Sequence, residues 1–92
     1  MHTFHTRIAT LDKTLHEGEA VHCRVRTEIG SLGFKARHEP FLASLEPGSS
    51  VELRDVAGKT HTFPVHEGLL NFRDNRCLIL LTSNPDRGSA QE

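Results

Sequence analysis

Apolar and polar residues alternate with a period of two through most of this chain, the pattern of half-buried strands. From Thr3 to Thr10, Phe4, Thr6 and Ile8 alternate with His5, Arg7 and Ala9. Leu11-Asp12-Lys13 breaks the pattern. It resumes after Glu17-Gly18, where Val21, Cys23 and Val25 point one way and His22, Arg24 and Arg26 the other. Val51 and Leu53 alternate with Glu52 and Arg54, and Ala57-Gly58-Lys59 turns the chain back into Thr60 to Val65, which predicts a hairpin. Pro64 has no N–H for a ladder, so it belongs at an edge, a bulge or a strand end. Leu70 and Phe72 share a face, and Asp74-Asn75 is a further two-residue reversal. Cys77 to Leu81 is apolar throughout and reads as a strand covered on both faces.

Between these segments, from Gly30 to Gly48, glycines and prolines surround two apolar clusters, Leu32/Phe34 and Phe41/Leu42/Leu45. Glycine admits left-handed backbone and proline fixes φ, so the punctuation predicts tight turns between short packed segments. A short strand is expected near Ser31 to Phe34, then a turn through Lys35-Ala36-Arg37, an apolar segment from Phe41 to Leu45, and a turn at Glu46 to Ser50. No window of helical length carries an apolar stripe at i, i+3, i+4. Short β segments separated by turns at intervals of roughly 8 to 12 residues predict an all-β sandwich or small barrel. The last ten residues, 83–92, lack periodicity and apolar content and are expected to form a disordered polar tail behind a domain of residues 1–82.

Composition narrows what such a domain does. A chain of 92 residues suits a single core. Lys and Arg total 11 against 12 acidic residues, a net charge of −1, which argues against general affinity for nucleic acid or anionic lipid. No apolar run reaches the length of a signal peptide or membrane span, so a soluble, cytosolic protein is expected. Cys23 and Cys77 are far apart and form no CxxC, so they are read as buried reduced thiols.

Seven histidines raise a metal hypothesis, but their spacing brings no ligands together on a strand or helix face. His38, followed closely by Pro40, is read as fixing its loop or standing at a subunit contact, because no serine or cysteine nucleophile is recognisably paired with it. The row His22, Arg24, Arg26, extended by Lys35 and Arg37, is either a solvated face or a match for an acidic patch on a partner. Gly30 and Gly33 have neither a following helix nor G-K-[ST], so turn geometry explains them better than a phosphate cradle.

The motif from Gly30 to Gly48 resembles the N-terminal domain of the ε subunit of F-type ATP synthases, called δ in mitochondria. The pattern G-x-L-G-[IV]-x-x-x-H-x-P-x-x-x-x-L-x-P-G is met by Gly30, Leu32, Gly33, His38, Pro40, Leu45, Pro47 and Gly48, with Phe34 in the aliphatic slot. Glu17-Gly18 with Val21, Gly58, and Val65 followed by Gly68 agree, and the similarity covers residues 3–82. Arg26-Thr27, Ala36-Arg37 and Glu67-Gly68 stand where the family often has Pro-Gly, Pro-Gly and Gly-Gly.

The resemblance implies a ten-stranded antiparallel β-sandwich, a flattened barrel, expected here without the C-terminal helical hairpin and hence without its inhibitory and ATP-sensing roles. It implies a non-catalytic central-stalk subunit that couples ion translocation to ATP synthesis and hydrolysis. Such a subunit has no cofactor, metal or small-molecule substrate and does not enter the membrane. It is peripheral on the cytoplasmic, inner face of the cell membrane through its complex. By position in the motif, Glu28, Ile29, Gly30, Ser31 and Leu32 are the expected c-ring contact, and Arg37, His38, Phe41 and Leu42 the expected contact with the γ subunit. Ile29 and Phe41, exposed apolar residues at turns, suit an interface. The alternatives are a small histidine-rich β-barrel that binds metal or catalyses a reaction, and a sandwich of this lineage recruited to another complex.

Overall fold

The computed structural model of the chain describes residues 2–82. The expected 83–92 tail lies outside the described residues. Eight strands follow one another: β1 (Phe4–Ala9), β2 (Thr14–Thr27), β3 (Gly30–Phe34), β4 (Phe41–Leu45), β5 (Ser50–Asp55), β6 (Thr60–Pro64), β7 (Gly68–Arg73) and β8 (Arg76–Leu81). No helix occurs among the described residues. The described residues form eight strands rather than the expected ten, and β2 is a single strand of 14 residues that pairs along both edges. Its first half pairs with β1, its second half with β3 on one edge and β5 on the other, and Thr27 reaches Leu45 of β4. β2 starts at Thr14, so the break expected before Ala20 is confined to the Thr10–Lys13 turn, where the Thr10 hydroxyl accepts the Asp12 and Lys13 N–H groups.

The hydrogen-bonded order is β1-β8-β7-β4-β2-β5-β6, and the additional β1–β2 pairing closes the first five into a flattened barrel. All pairs are antiparallel except β1 with β8, where Thr6 stands beside Cys77 and Ile8 beside Ile79. β6 is the edge strand at one end of that order, and Pro64 is its last residue, where a missing N–H leaves no gap in the ladder.

The inward rows meet in one core of Phe4, Ile8, Cys23, Val25, Phe34, Leu53, Leu70, Phe72 and Ile79, all essentially inaccessible. Phe72 is its aromatic centre: its ring lies 5.5 Å edge-on from Phe4 and stacks 5.7 Å from Phe34, nearly parallel to the latter at 10°. Cys23 and Cys77 face each other from β2 and β8 as buried free thiols. A hydrogen bond donated by the Cys77 thiol to Cys23, together with burial, pushes that thiol far above its ordinary value, so it stays protonated and unreactive.

One strand departs from its expected environment. Cys77, Ile79 and Leu81 of β8 are buried, but Leu80 is 43% exposed on the opposite side and Leu78 only half-buried. The alternation was hidden in the sequence because both faces are apolar. Among the described residues nothing covers the outer one.

Candidate functional site

The apolar outer side of β8 continues across its neighbours. Register pairs Leu69 with Leu80 and with Ser44, and Asn71 with Leu78 and with Leu42. Strands alternate, so Leu42, Leu69, Leu78 and Leu80 share the outer face of β4, β7 and β8 as one leucine patch. Leu42 is 65% exposed and Leu69 is also exposed. An open cleft of about 320 Å3, lined by Pro40, Phe41, Leu42, Asn71, Arg73 and Asp74, borders the patch. Exposed apolar side chains gathered on one face of a small domain mark a place where something else packs.

Two aromatic groups and a turn support this edge from beneath. Phe41 is half-buried, not exposed as expected, because its alternation puts it inward, 5.5 Å from Phe34. His38 is half-buried against Phe34, Phe72 and Phe41 at 4.7, 5.7 and 6.4 Å between ring centres. Its Nδ1–H donates to the Glu39 carbonyl at 2.7 Å, so this imidazole fixes the loop. Arg37 adopts φ 67°, a left-handed conformation that favours glycine, at the position where the resembling family often has glycine. Its N–H donates to Asn75 Oδ1 at 2.7 Å, which helps hold the strained turn.

Asn75 had no sign of this role in the sequence beyond its place in a reversal. Asp74 and Asn75 both have positive φ, the two-residue hairpin turn that matches strand twist. The Asn75 side chain also donates to the Thr3 carbonyl at 2.9 Å, and its main-chain oxygen accepts the His5 N–H. One residue therefore ties the chain start, the β7–β8 turn and the Arg37 loop together.

The expected ring-facing segment lies elsewhere. Glu28 and Ile29 form the tip of the β2–β3 hairpin, with Ile29 82% exposed. The Thr27 hydroxyl accepts the Ile29 N–H and donates to the Gly30 carbonyl, and Gly30 has φ 123°, which a side chain would strain. Ser31 is exposed and Leu32 half-buried against the core. Thr27 pairs with Leu45, and Leu45 with Gly68, whereas Arg37 is bonded to the turn after Arg73. The two expected contacts thus stand at opposite ends of β4 and β7.

Of the three motif glycines, Gly30 and Gly48 serve turns, with φ 123° and 85°. Gly33 lies within β3, where a Cβ would stand 2.9 Å from His22 Nε2, so its role is to leave room for that ring. In the basic row, Arg26 Nε donates to Glu46 at 2.6 Å.

The histidines disperse. His5 lies between Glu17 and Glu19, and His61 Nε2 meets Asp55 Oδ2 at 2.8 Å with His16 4.6 Å away, ring to ring. Among the described residues, no group of three or more His, Cys, Asp or Glu side chains is placed to hold a metal ion. Burial, then the neighbouring His61, lowers the His16 pKa from the ordinary 6.5, against a smaller opposing effect of Asp55. Burial, then Arg54, Arg24 and Lys35, lowers that of His22.

Because both folded values lie below the unfolded one, the unfolded chain takes up these protons first. Their stabilisation is complete above about pH 6.5 and drains away as pH falls through that value. Glu19, held down by hydrogen bonds from Thr3 and His5, and Asp55, held down by one from His61, lose theirs below the carboxylate range. The urea midpoint is expected to fall between pH 7.5 and 5.5 and again below pH 4.5. A profile flat across the first interval would contradict the imidazole assignment.

Comparison with known proteins places this geometry. Residues 3–84 match the family described as ATP synthase, Delta/Epsilon chain, beta-sandwich domain. The ATP synthase epsilon chain of Streptomyces avermitilis is 34% identical over 76 residues, covering 83% of this chain and 60% of that protein. That of Alkalilimnicola ehrlichii is 29% identical over 97 residues, covering 100% of this chain and 69% of that protein. Among solved structures, a chain of the Euglena gracilis mitochondrial ATP synthase, solved as OSCP/F1/c-ring, superposes with a TM-score of 0.82 at 18% identity, over 99% of this chain and 61% of that one. A chain of the Tetrahymena thermophila mitochondrial ATP synthase central stalk/c-ring gives 0.70 at 20% identity, over 86% and 63%. At these identities the structures show the shared fold, and the chain spans about 60% of the Streptomyces relative's length.

Proposed function

The chain belongs to the family of ATP synthase delta/epsilon chain β-sandwich domains, and from that premise we propose that it is a non-catalytic subunit of the central stalk. It docks on the γ subunit and on the c-ring and helps couple ion translocation to ATP synthesis and hydrolysis. The complex then holds it at the cytoplasmic, inner face of the cell membrane.

The observation that carries this reading is the outward leucine patch of β4, β7 and β8. Leu42, Leu69 and Leu80 facing water on one sheet, with Leu78 half-buried beside them, are costly in a free monomer and sensible under a partner. Leu42, expected to touch γ from its motif position, is part of the patch, and Phe41 lines the cleft that borders it. The Glu28–Leu32 tip, at the other end of β4 and β7, is left open for the ring. A subunit gripped on one sheet face and in contact through a hairpin tip has the layout needed to bridge two parts of a rotor.

The test is co-purification with recombinant γ subunit from the same source. A stoichiometric complex at micromolar concentration is expected, and its absence would sink the proposal. Metal analysis of untagged protein checks the rival histidine reading, since a stoichiometric bound ion would favour it.

A further inference from the structure

The outer face of β3, β2, β5 and β6 carries a feature independent of the rotor assignment. Register sets His22 beside Arg54, Arg54 beside Thr60, and Arg24 beside Glu52. Lys35 follows Phe34, the partner of Cys23, and so stands next to His22. His22, Arg24, Glu52, Arg54 and Thr60 line an open cleft of about 200 Å3. Unlike Arg26, which Glu46 neutralises, Arg24, Arg54 and Lys35 have no ion pair or side-chain hydrogen bond among the described residues.

We propose that this cleft binds the phosphate group of a small soluble compound. Three cations less the Glu52 carboxylate leave a formal charge of +2 with His22 neutral, matched to a phosphate dianion. Two guanidinium forks present paired N–H donors that suit phosphate oxygens, and the Thr60 hydroxyl adds another. Gly33 keeps the wall low enough for the His22 ring to lie over β3. The field of Arg54, Arg24 and Lys35 already weighs against protonation of His22. A bound dianion opposes that field, so ligand and proton are expected to bind with positive coupling. Glu52, on the same face, limits the affinity.

The experiment titrates inorganic phosphate into the whole chain at constant ionic strength, with chloride as control, and follows the His22 ring by NMR. Saturable shifts with a midpoint on the order of 1 mM are expected, weak as suits an open site. Saturation with phosphate is expected to move the His22 titration midpoint upward. Arg24→Gln with Arg54→Gln is expected to weaken binding at least tenfold with thermal unfolding unchanged, and Arg54→Lys to restore part of it. Shifts equal to those from chloride overturn the proposal, as does saturable binding that survives the double substitution. Phosphatidylglycerol vesicles that bind the chain while free phosphate does not would make the face a lipid contact and overturn it equally.

Discussion

Leu42→Asp is expected to leave the isolated chain folded and to weaken its complex with the γ subunit at least thirtyfold. Leu42 is 65% exposed on the outer face of β4, so the isolated domain loses little by the change. Surface substitutions of this kind stay within about 0.5 kcal/mol. In the proposed complex the same position is covered, and a carboxylate forced under a partner without a counter-charge costs about 2 kcal/mol or more. Leu80→Asp, two strands away on the same face, is expected to act in the same direction, and the double variant to abolish capture. Val56→Asp is the control, an exposed apolar residue in the β5–β6 turn outside the patch. Affinity measured with immobilised γ decides it. If Leu42→Asp and Val56→Asp bind alike, the leucine patch is not the docking surface.

Phe72→Ala is expected to destabilise the isolated chain by about 4 kcal/mol, the range for truncating a buried aromatic ring. In a domain of this size that lowers Tm by on the order of 20 °C. Phe72 is fully buried and touches the rings of Phe4, Phe34 and His38, one on each of β1 and β3 and one in the loop before β4. Its removal opens a cavity where four segments meet, and they cannot all close on it. Phe72→Leu, which retains most of the volume, is expected to cost much less. Thermal unfolding by circular dichroism reads both, and a loss under about 1 kcal/mol for the alanine variant would show that the cluster repacks.

The strands were legible wherever one face is wet. In β1 and β5 the period of two gave both the element and its buried side, because water favours a polar residue on the outward positions. β8 defeated that reading. With leucine on both faces its sequence implied double burial, and only the fold shows that one face is left open among the described residues. β2 resisted for a different reason: Gly18 and the charged residues around it look like a break, yet a strand paired along its edges tolerates exposed charge on both sides. The motif from Gly30 to Gly48 located the loops but not the inward turn of Phe41, which depends on where β4 begins. Asn75 was illegible because its three attachments join residues 3, 5 and 37, positions that only the tertiary fold brings together.

β2 also has a mechanical meaning. As one strand bonded to β1 along its first half and to β3 and β5 along its second, it joins the two halves of the fold through a single backbone, with a register shift between Ala20 and His22 where they meet. A pull on the Ile29 tip loads those hydrogen bonds along the strand axis, so they resist together in shear instead of peeling one at a time. In the proposed rotor role, displacement at the tip is therefore expected to reach both halves of the strand together.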